Sequence, residues 1–229
     1  MPKPITLTFD NGPDPEVTPL VLDVLARKNV KATFFVVGDK LRDPARRAVV
    51  RRAKEEGHWI GNHTFNHLVP LGLGKHEAAS AFEIGKTQEL IGDLSDERKF
   101  FRPFGGGGFL NHDLLDQNAV EYLKDGKFTC VLWNVVPRDW ETPATWVEKA
   151  LHMCEGKDHP LIVLHDLTTG AMARLAEFID LARSAEMEFV QEFPEDCVPM
   201  VRGEIVAHMS AYVASETTGV AVASEGNQI

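Results

Sequence analysis

The stretch Ile5-Thr6-Leu7-Thr8-Phe9-Asp10-Asn11-Gly12-Pro13 runs from a β-rich segment straight into a turn, and helical spacing follows at 17–28. A short strand closed by Asp, Asn, Gly and Pro and followed by a helix is the unit from which parallel sheets are built. The unit recurs along the chain. Strands are predicted at 5–9, 32–37, 59–62, 100–102, 129–135, 161–164 and 188–190, and helices at 17–28, 43–56, 75–91, 111–124, 143–154 and 171–185. Asp43 before Pro44, Asn111, and Thr142 before Pro143 read as helix starts, Gly57 and Gly126 as stops. About seven alternating units mean an α/β fold, and they suit a distorted, incomplete (β/α) barrel of parallel strands better than an open sheet. No internal repeat or linker divides the chain, so 1–206 reads as one barrel domain. Beyond it the composition shifts to Ala, Ser, Thr and Gly, and 207–229 is expected to be a mobile or loosely packed extension.

A chain of 229 residues can bury one sizeable core, and 44% hydrophobic with 25% charged residues is ordinary globular composition. The net charge of -10 disfavours nucleic acid and anionic membrane as partners. Cys130, Cys154 and Cys197 are odd in number and widely spaced, which fits reduced thiols used as small hydrophobes rather than a disulfide framework or a zinc cluster. Met1-Pro2-Lys3-Pro4 enters a strand with no apolar signal region, so the expected compartment is the cytoplasm. The oligomeric state is not set by the sequence.

The polar residues fall in one kind of place. Asp10 and Asn11 follow the first strand, and His63 and His67 the third. Arg102 ends the fourth, Asp139 follows the fifth, and His165 and Asp166 close the sixth. In a parallel barrel the C-terminal strand ends share one face, so topology gathers these groups. His63-Thr64-Phe65-Asn66-His67 spaces two imidazoles to share a face of a helical turn and grip one metal ion. Two imidazoles plus an oxygen donor suit zinc, cobalt or nickel with open positions for water and substrate. Each group also has a bland reading: Asp10 as a turn residue, His165 as a core-edge histidine, Arg102 as a surface cation. Gly105-Gly106-Gly107-Gly108 lacks the Lys-Ser/Thr of a phosphate loop. Phe104, Phe109 and Trp146 fit either a binding groove or the core.

Together these segments resemble the polysaccharide deacetylase family, the NodB-homology carbohydrate esterases, from Thr8 to about Asp166. Thr8-Phe9-Asp10-Asn11-Gly12-Pro13 is similar to the family's Thr-Phe-Asp-Asp-Gly-Pro, and His63-Thr64-Phe65-Asn66-His67 matches its His-Ser/Thr-x-x-His. Phe101-Arg102-Pro103-Phe104-Gly105 resembles Arg-Pro-Pro-Tyr-Gly, Trp133 with Asp139-Trp140 resembles Asp-x-x-Asp-Trp, and Val163-Leu164-His165 resembles Leu-x-His. The resemblance implies hydrolysis of the C–N bond of N-acetyl groups, or sometimes of O-acetyl esters, on sugars. It implies a divalent metal held by Asn11, His63 and His67. Asp10 would be the general base oriented by Arg102, and His165 the general acid with its ring held by Asp139. The Gly105 N–H would help to stabilise the oxyanion, and Trp140 and Val163 would line a pocket for the acetyl methyl.

The chain departs from the pattern in three places. Asn11 stands where the family has a carboxylate ligand, so affinity for the cation should fall. Gly105 replaces the oxyanion-loop Tyr, and Val136 the first Asp of the fourth motif. Two other functions remain open on sequence grounds: hydrolysis of a small cytoplasmic amide or ureide without tightly bound metal, and a catalytically impaired carbohydrate-binding homologue.

Overall fold

In a computed structural model, which describes residues 2–74 and 79–215, the chain forms seven parallel strands with helices between them. The strands are β1 (Lys3–Asp10), β2 (Thr33–Val36), β3 (Trp59–Asn62), β4 (Phe100–Phe101), β5 (Thr129–Cys130), β6 (Leu161–His165) and β7 (Met187–Phe189). The helices are α1 (Val17–Lys28), α2 (Pro44–Glu55), α3 (Thr87–Ile91), α4 (Gln117–Asp125), α5 (Trp146–Cys154) and α6 (Leu175–Ser184). The strands hydrogen-bond in the order β6-β1-β2-β3-β4-β5, with β7 beside β1. One isolated bridge between Val135 and Ile162 spans the gap from β5 back to β6. The result is the expected distorted, incomplete barrel.

Alternation along β1 shows how the sequence serves both layers. Ile5, Leu7 and Phe9 are fully buried and join the hydrophobic cluster shared with α1, α2, α5 and α6. The intervening Thr6, Thr8 and Asp10 are also buried. The Thr8 hydroxyl donates to the Ile162 carbonyl (2.7 Å), so this polar row is satisfied inside the barrel. A second cluster around Phe35, Phe100, Phe101, Leu132 and Trp133 lies under β4 and β5.

Several boundaries differ from those predicted, for identifiable reasons. Asp43 caps α2 as expected, accepting from the Ala45 N–H (2.8 Å) with Pro44 at the first position. α4 starts at Asp116, whose carboxylate accepts from the Ala119 N–H (2.6 Å), while Asn111 closes a turn of its own on the Asp113 N–H. α5 begins at Trp146 rather than Pro143, because the Glu141 and Thr142 N–H groups turn back onto the Arg138 carbonyl. Gly57 takes the left-handed position after α2 (φ 87°), but after α4 that position belongs to Lys127 (φ 55°), not Gly126. Gly126 is needed for space: a Cβ there would lie 2.5 Å from the Phe128 ring. The predicted strand 129–135 stops at Cys130, because the Val131 and Leu132 carbonyls turn to the Arg102 guanidinium instead of a neighbouring strand. The helix predicted at 75–91 is described only from 79, where it contains a π-helical turn, Ala81–Lys86.

The C-terminal part adds an antiparallel hairpin absent from the sequence reading, β8 (Met200–Val201) and β9 (Glu204–Ile205), with β8 paired to β5. Of the extension from 207, the described part lies against the body. Met209 is buried, Val213 bridges Leu115, and the Ala214 N–H donates to the Leu115 carbonyl (2.8 Å). Residues 216–229 lie outside the described residues. All three cysteines are buried and free, and burial pushes the Cys130 and Cys197 thiols up to about 12 and Cys154 up to about 11. No helix among the described residues is long and apolar enough to cross a membrane.

Candidate active site

Asp10 and His165 end adjacent strands and are register partners, so sheet pairing alone puts a carboxylate beside an imidazole. His63 follows β3 and Arg102 follows β4; the Arg102 N–H donates to the Asn62 carbonyl (2.9 Å), which ties the two strand ends together. Asp10, His63 and His165 open into one cavity of about 430 Å³ at the C-terminal end of the strands, with Arg102 buried behind them.

Arg102 is the centre of the arrangement. Its side chain has no exposed surface, and its guanidinium lies 4.0 Å over the Phe35 ring. It donates to Asp10 Oδ1 (2.8 Å), Thr8 Oγ1 (2.7 Å), and the Leu132 (3.0 Å) and Val131 (3.2 Å) carbonyls. Burial lowers its pKa, opposed by the Asp10 charge, but a guanidinium stays protonated in any case. Its main chain does something else: His63 Nδ1 lies 2.8 Å from the Arg102 carbonyl. A carbonyl only accepts, so Nδ1 carries the proton and the Nε2 lone pair is left free. Nε2 is 3.6 Å from Asp10 Oδ2, beyond hydrogen-bond length.

His67 packs against His63 with ring centroids 4.7 Å apart, and against Phe104 at 4.1 Å. Burial holds both imidazoles neutral, lowering each pKa to about 3. The pair is not on a helical turn as predicted. Residues 63–67 form an irregular turn with Thr64 (φ 64°) and His67 (φ 53°) in the left-handed region. Asn11 also has a left-handed backbone (φ 69°), its carbonyl accepts from Lys40 Nζ (2.6 Å), and its Oδ1 is buried with no hydrogen-bond partner. Among the described residues no three His, Cys, Asp or Glu side chains converge as a metal cluster.

Across the cavity, His165 Nδ1 is 2.8 Å from Asp139 Oδ1, and the His165 N–H donates to Asp139 Oδ2 (3.0 Å). Burial alone would lower the His165 pKa, but the Asp139 hydrogen bond and charge, with Asp10 and Asp166 behind them, carry it above its ordinary value. Trp140 sets its ring edge-on to His165 (4.6 Å), and Val163 lies in the same wall. Gly105 also lines the cavity: a Cβ there would lie 2.6 Å from the Trp133 ring, so bare backbone forms that wall.

Every site residue predicted from sequence thus borders the cavity or holds a residue that does. Phe104 lines it, whereas Trp146 is core, its Nε1 donating to the Ala171 carbonyl (2.9 Å). The far rim escaped the sequence reading. Arg138 pairs with Glu141 (2.5 Å) and stands between the Phe109 (5.9 Å) and Trp140 (5.6 Å) rings. Arg138 adjoins the recognised Asp139-Trp140, and that adjacency was the available signal.

The family model described as "Polysaccharide deacetylase" matches residues 1–127, the part of the chain that carries Asp10, Asn11, His63, His67 and Arg102. This chain belongs to the polysaccharide deacetylase family. A peptidoglycan-N-acetylglucosamine deacetylase of Bacillus cereus is 34% identical over 177 residues, covering 72% of this chain and 73% of that protein. Among solved structures, a peptidoglycan N-acetylglucosamine deacetylase in complex with 4-naphthalen-1-yl-N-oxidanyl-benzamide is 31% identical with a TM-score of 0.68, covering 81% of this chain and 84% of that one. A family 4 acetyl xylan esterase from Clostridium thermocellum, in complex with a cobalt ion, is 29% identical with a TM-score of 0.64, covering 82% and 87%. Against two longer peptidoglycan deacetylases the chain spans 46% and 38% of the relative's length.

Proposed function

We propose that this polysaccharide deacetylase removes acetyl groups from N-acetylated amino sugars or their oligosaccharides by metal-assisted hydrolysis. The observation that carries the reading is the double use of Arg102, which holds Asp10 with its side chain and His63 with its carbonyl, facing a His165 held by Asp139. A protein that only binds sugar has no need of an oriented base and an oriented acid over one cavity.

The residues fit a divalent cation. Asn11 Oδ1 is a buried acceptor without a partner, and the His63 tautomer leaves Nε2 available. His63, His67 and Asn11 would hold the ion, and two imidazoles with an amide oxygen suit zinc, cobalt or nickel, bound more weakly than by a set containing a carboxylate. When bound, the cation would lower the pKa of water and polarise the acetyl carbonyl. Asp10, fixed by Arg102, accepts the proton of the attacking water. His165 gives the departing amine a proton from Nε2, and Asp139 fixes the ring and favours its charged form. Trp140, Val163 and the Gly105 backbone enclose the acetyl group.

Acetate release from N-acetylglucosamine oligomers, measured with zinc, with cobalt and with a chelator, tests this reading, and acetylated xylan serves as the ester comparison. Release that depends on added metal is the expected result. A folded protein that takes up no metal and releases no acetate from either substrate overturns it, while metal-free turnover of a small amide would favour the ureide-type alternative.

A further inference from the structure

The turn carrying the two imidazoles has a backbone that its own residues disfavour. Thr64 and His67 are both left-handed, and the region is hardest for a β-branched residue such as Thr64. Such conformations persist where the surroundings impose them. Three groups do so here. The Asn62 side chain accepts from the Thr64 N–H (3.1 Å) and donates to the Ile84 carbonyl (2.8 Å). From the far side, the Gly38 and Asp39 N–H groups donate to the Thr64 (2.9 Å) and Phe65 (3.0 Å) carbonyls. The third is Glu83. Its Oε2 accepts from the N–H groups of Phe65 and Asn66, each at 2.8 Å, and its Oε1 accepts from Asn66 Nδ2 (2.6 Å). Glu83 sits in the π-helical turn Ala81–Lys86, and π-turns concentrate at functional sites. One carboxylate therefore takes three donors from the residues between the two imidazoles.

We propose that Glu83 is a positioning residue for the imidazole pair, clamping the Phe65–Asn66 backbone so that His67 stays against His63 and so setting the affinity of the site for a divalent cation. The proposal rests on His63 and His67 as metal ligands. Carboxylates accepting from N–H groups make stronger hydrogen bonds than neutral acceptors, and groups that hold ligands in place govern metal affinity nearly as the ligands do. Glu83 lies 17 and 18 residues from the donors it holds, so no motif contains it.

The test compares Glu83→Ala, Glu83→Gln and Asn66→Ala with the unaltered protein by two readouts, imidazole NMR signals without metal and Co²⁺ titration followed by visible absorption. In Glu83→Ala the His67 signals shift and broaden while those of His165 stay, and Co²⁺ affinity falls by about tenfold to a hundredfold. Glu83→Gln, which keeps one oxygen for the two backbone donors, recovers most of that loss. Asn66→Ala, which removes one of three donors, loses less. A folded Glu83→Ala protein with unmoved His67 signals and Co²⁺ affinity within twofold of the unaltered protein overturns the proposal. Should Glu83→Ala not fold, unmoved His67 signals and an unchanged Co²⁺ affinity in Asn66→Ala overturn it equally. If the unaltered protein takes up no Co²⁺, the metal reading fails by itself, and the imidazole signals alone decide on the clamp.

Discussion

On the proposed roles, Asn11 withholds a charge from the metal side of the site and Asp139 supplies one to the acid side. Asn11 presents a neutral oxygen, buried and without a partner, where a carboxylate would present a charge. Asn11→Asp is therefore expected to tighten zinc binding, read by calorimetry at fixed pH; an unchanged affinity would remove Asn11 from the ligand set. Asp139 acts on His165, whose pKa it raises through a hydrogen bond and a charge. If His165 is the acid, as proposed, it is active while protonated, so activity is expected to extend to higher pH than an ordinary histidine allows and to be lost as pH rises through the raised value. Asp139→Asn removes the charge, and the alkaline limb of kcat against pH is expected to move to lower pH. A limb that stays in place would assign it to another group.

At the level of elements, the local signals stand on the strand ends and the long-range ones on the pieces that hold them. Asp10, His63, Arg102, Asp139 and His165 were legible because each ends or follows a strand, and the parallel topology does the rest. Glu83 and the Arg102 carbonyl were not, because each acts across a distance in sequence that periodicity does not encode. The same holds for β8 and β9. Their turn contains Gly203, at φ 86°, whose missing Cβ would overlap the Lys124 carbonyl at the end of α4. Gly203→Ala is expected to destabilise the protein by more than about 1 kcal/mol in urea unfolding, with the cobalt affinity unchanged. The short span of β5 also has a long-range cause, since Arg102 takes carbonyls that a strand would have used. The predicted helix starts failed for two local reasons: Asp116 outcompeted Asn111 as the cap of α4, and a backbone turn onto the Arg138 carbonyl delayed α5.

Across the whole molecule, a further electrostatic strain sits behind the site, at Asp166. Asp166 is fully buried, burial lifts its pKa to about 7, and Thr18 Oγ1 donates to its Oδ2 (2.5 Å) while Oδ1 has no partner. A carboxyl with a raised folded pKa binds a proton more readily folded than unfolded. Its stabilising contribution is therefore present at low pH and is lost as pH rises from 3.8 through about 7. Asp166→Asn should flatten that fall and raise Tm above pH 7 relative to the unaltered protein; a parallel fall in both would acquit Asp166. The barrel has a second uneven feature, the lone bridge at Val135 and Ile162. Two backbone hydrogen bonds span that junction, from Val135 to the Leu161 carbonyl (3.1 Å) and from Val163 to the Val135 carbonyl (2.9 Å), beside side-chain bonds from Asn134 and Asp139. Elsewhere β1 is laced to β6 over five register pairs. The junction is the zipper's last tooth, and the cavity wall formed by Val163 and Val136 lies beside it. Deuterium uptake at the Val135 and Val163 amides is expected to outpace that of Leu7 and Phe34, which would give the cavity one soft flank and one rigid flank.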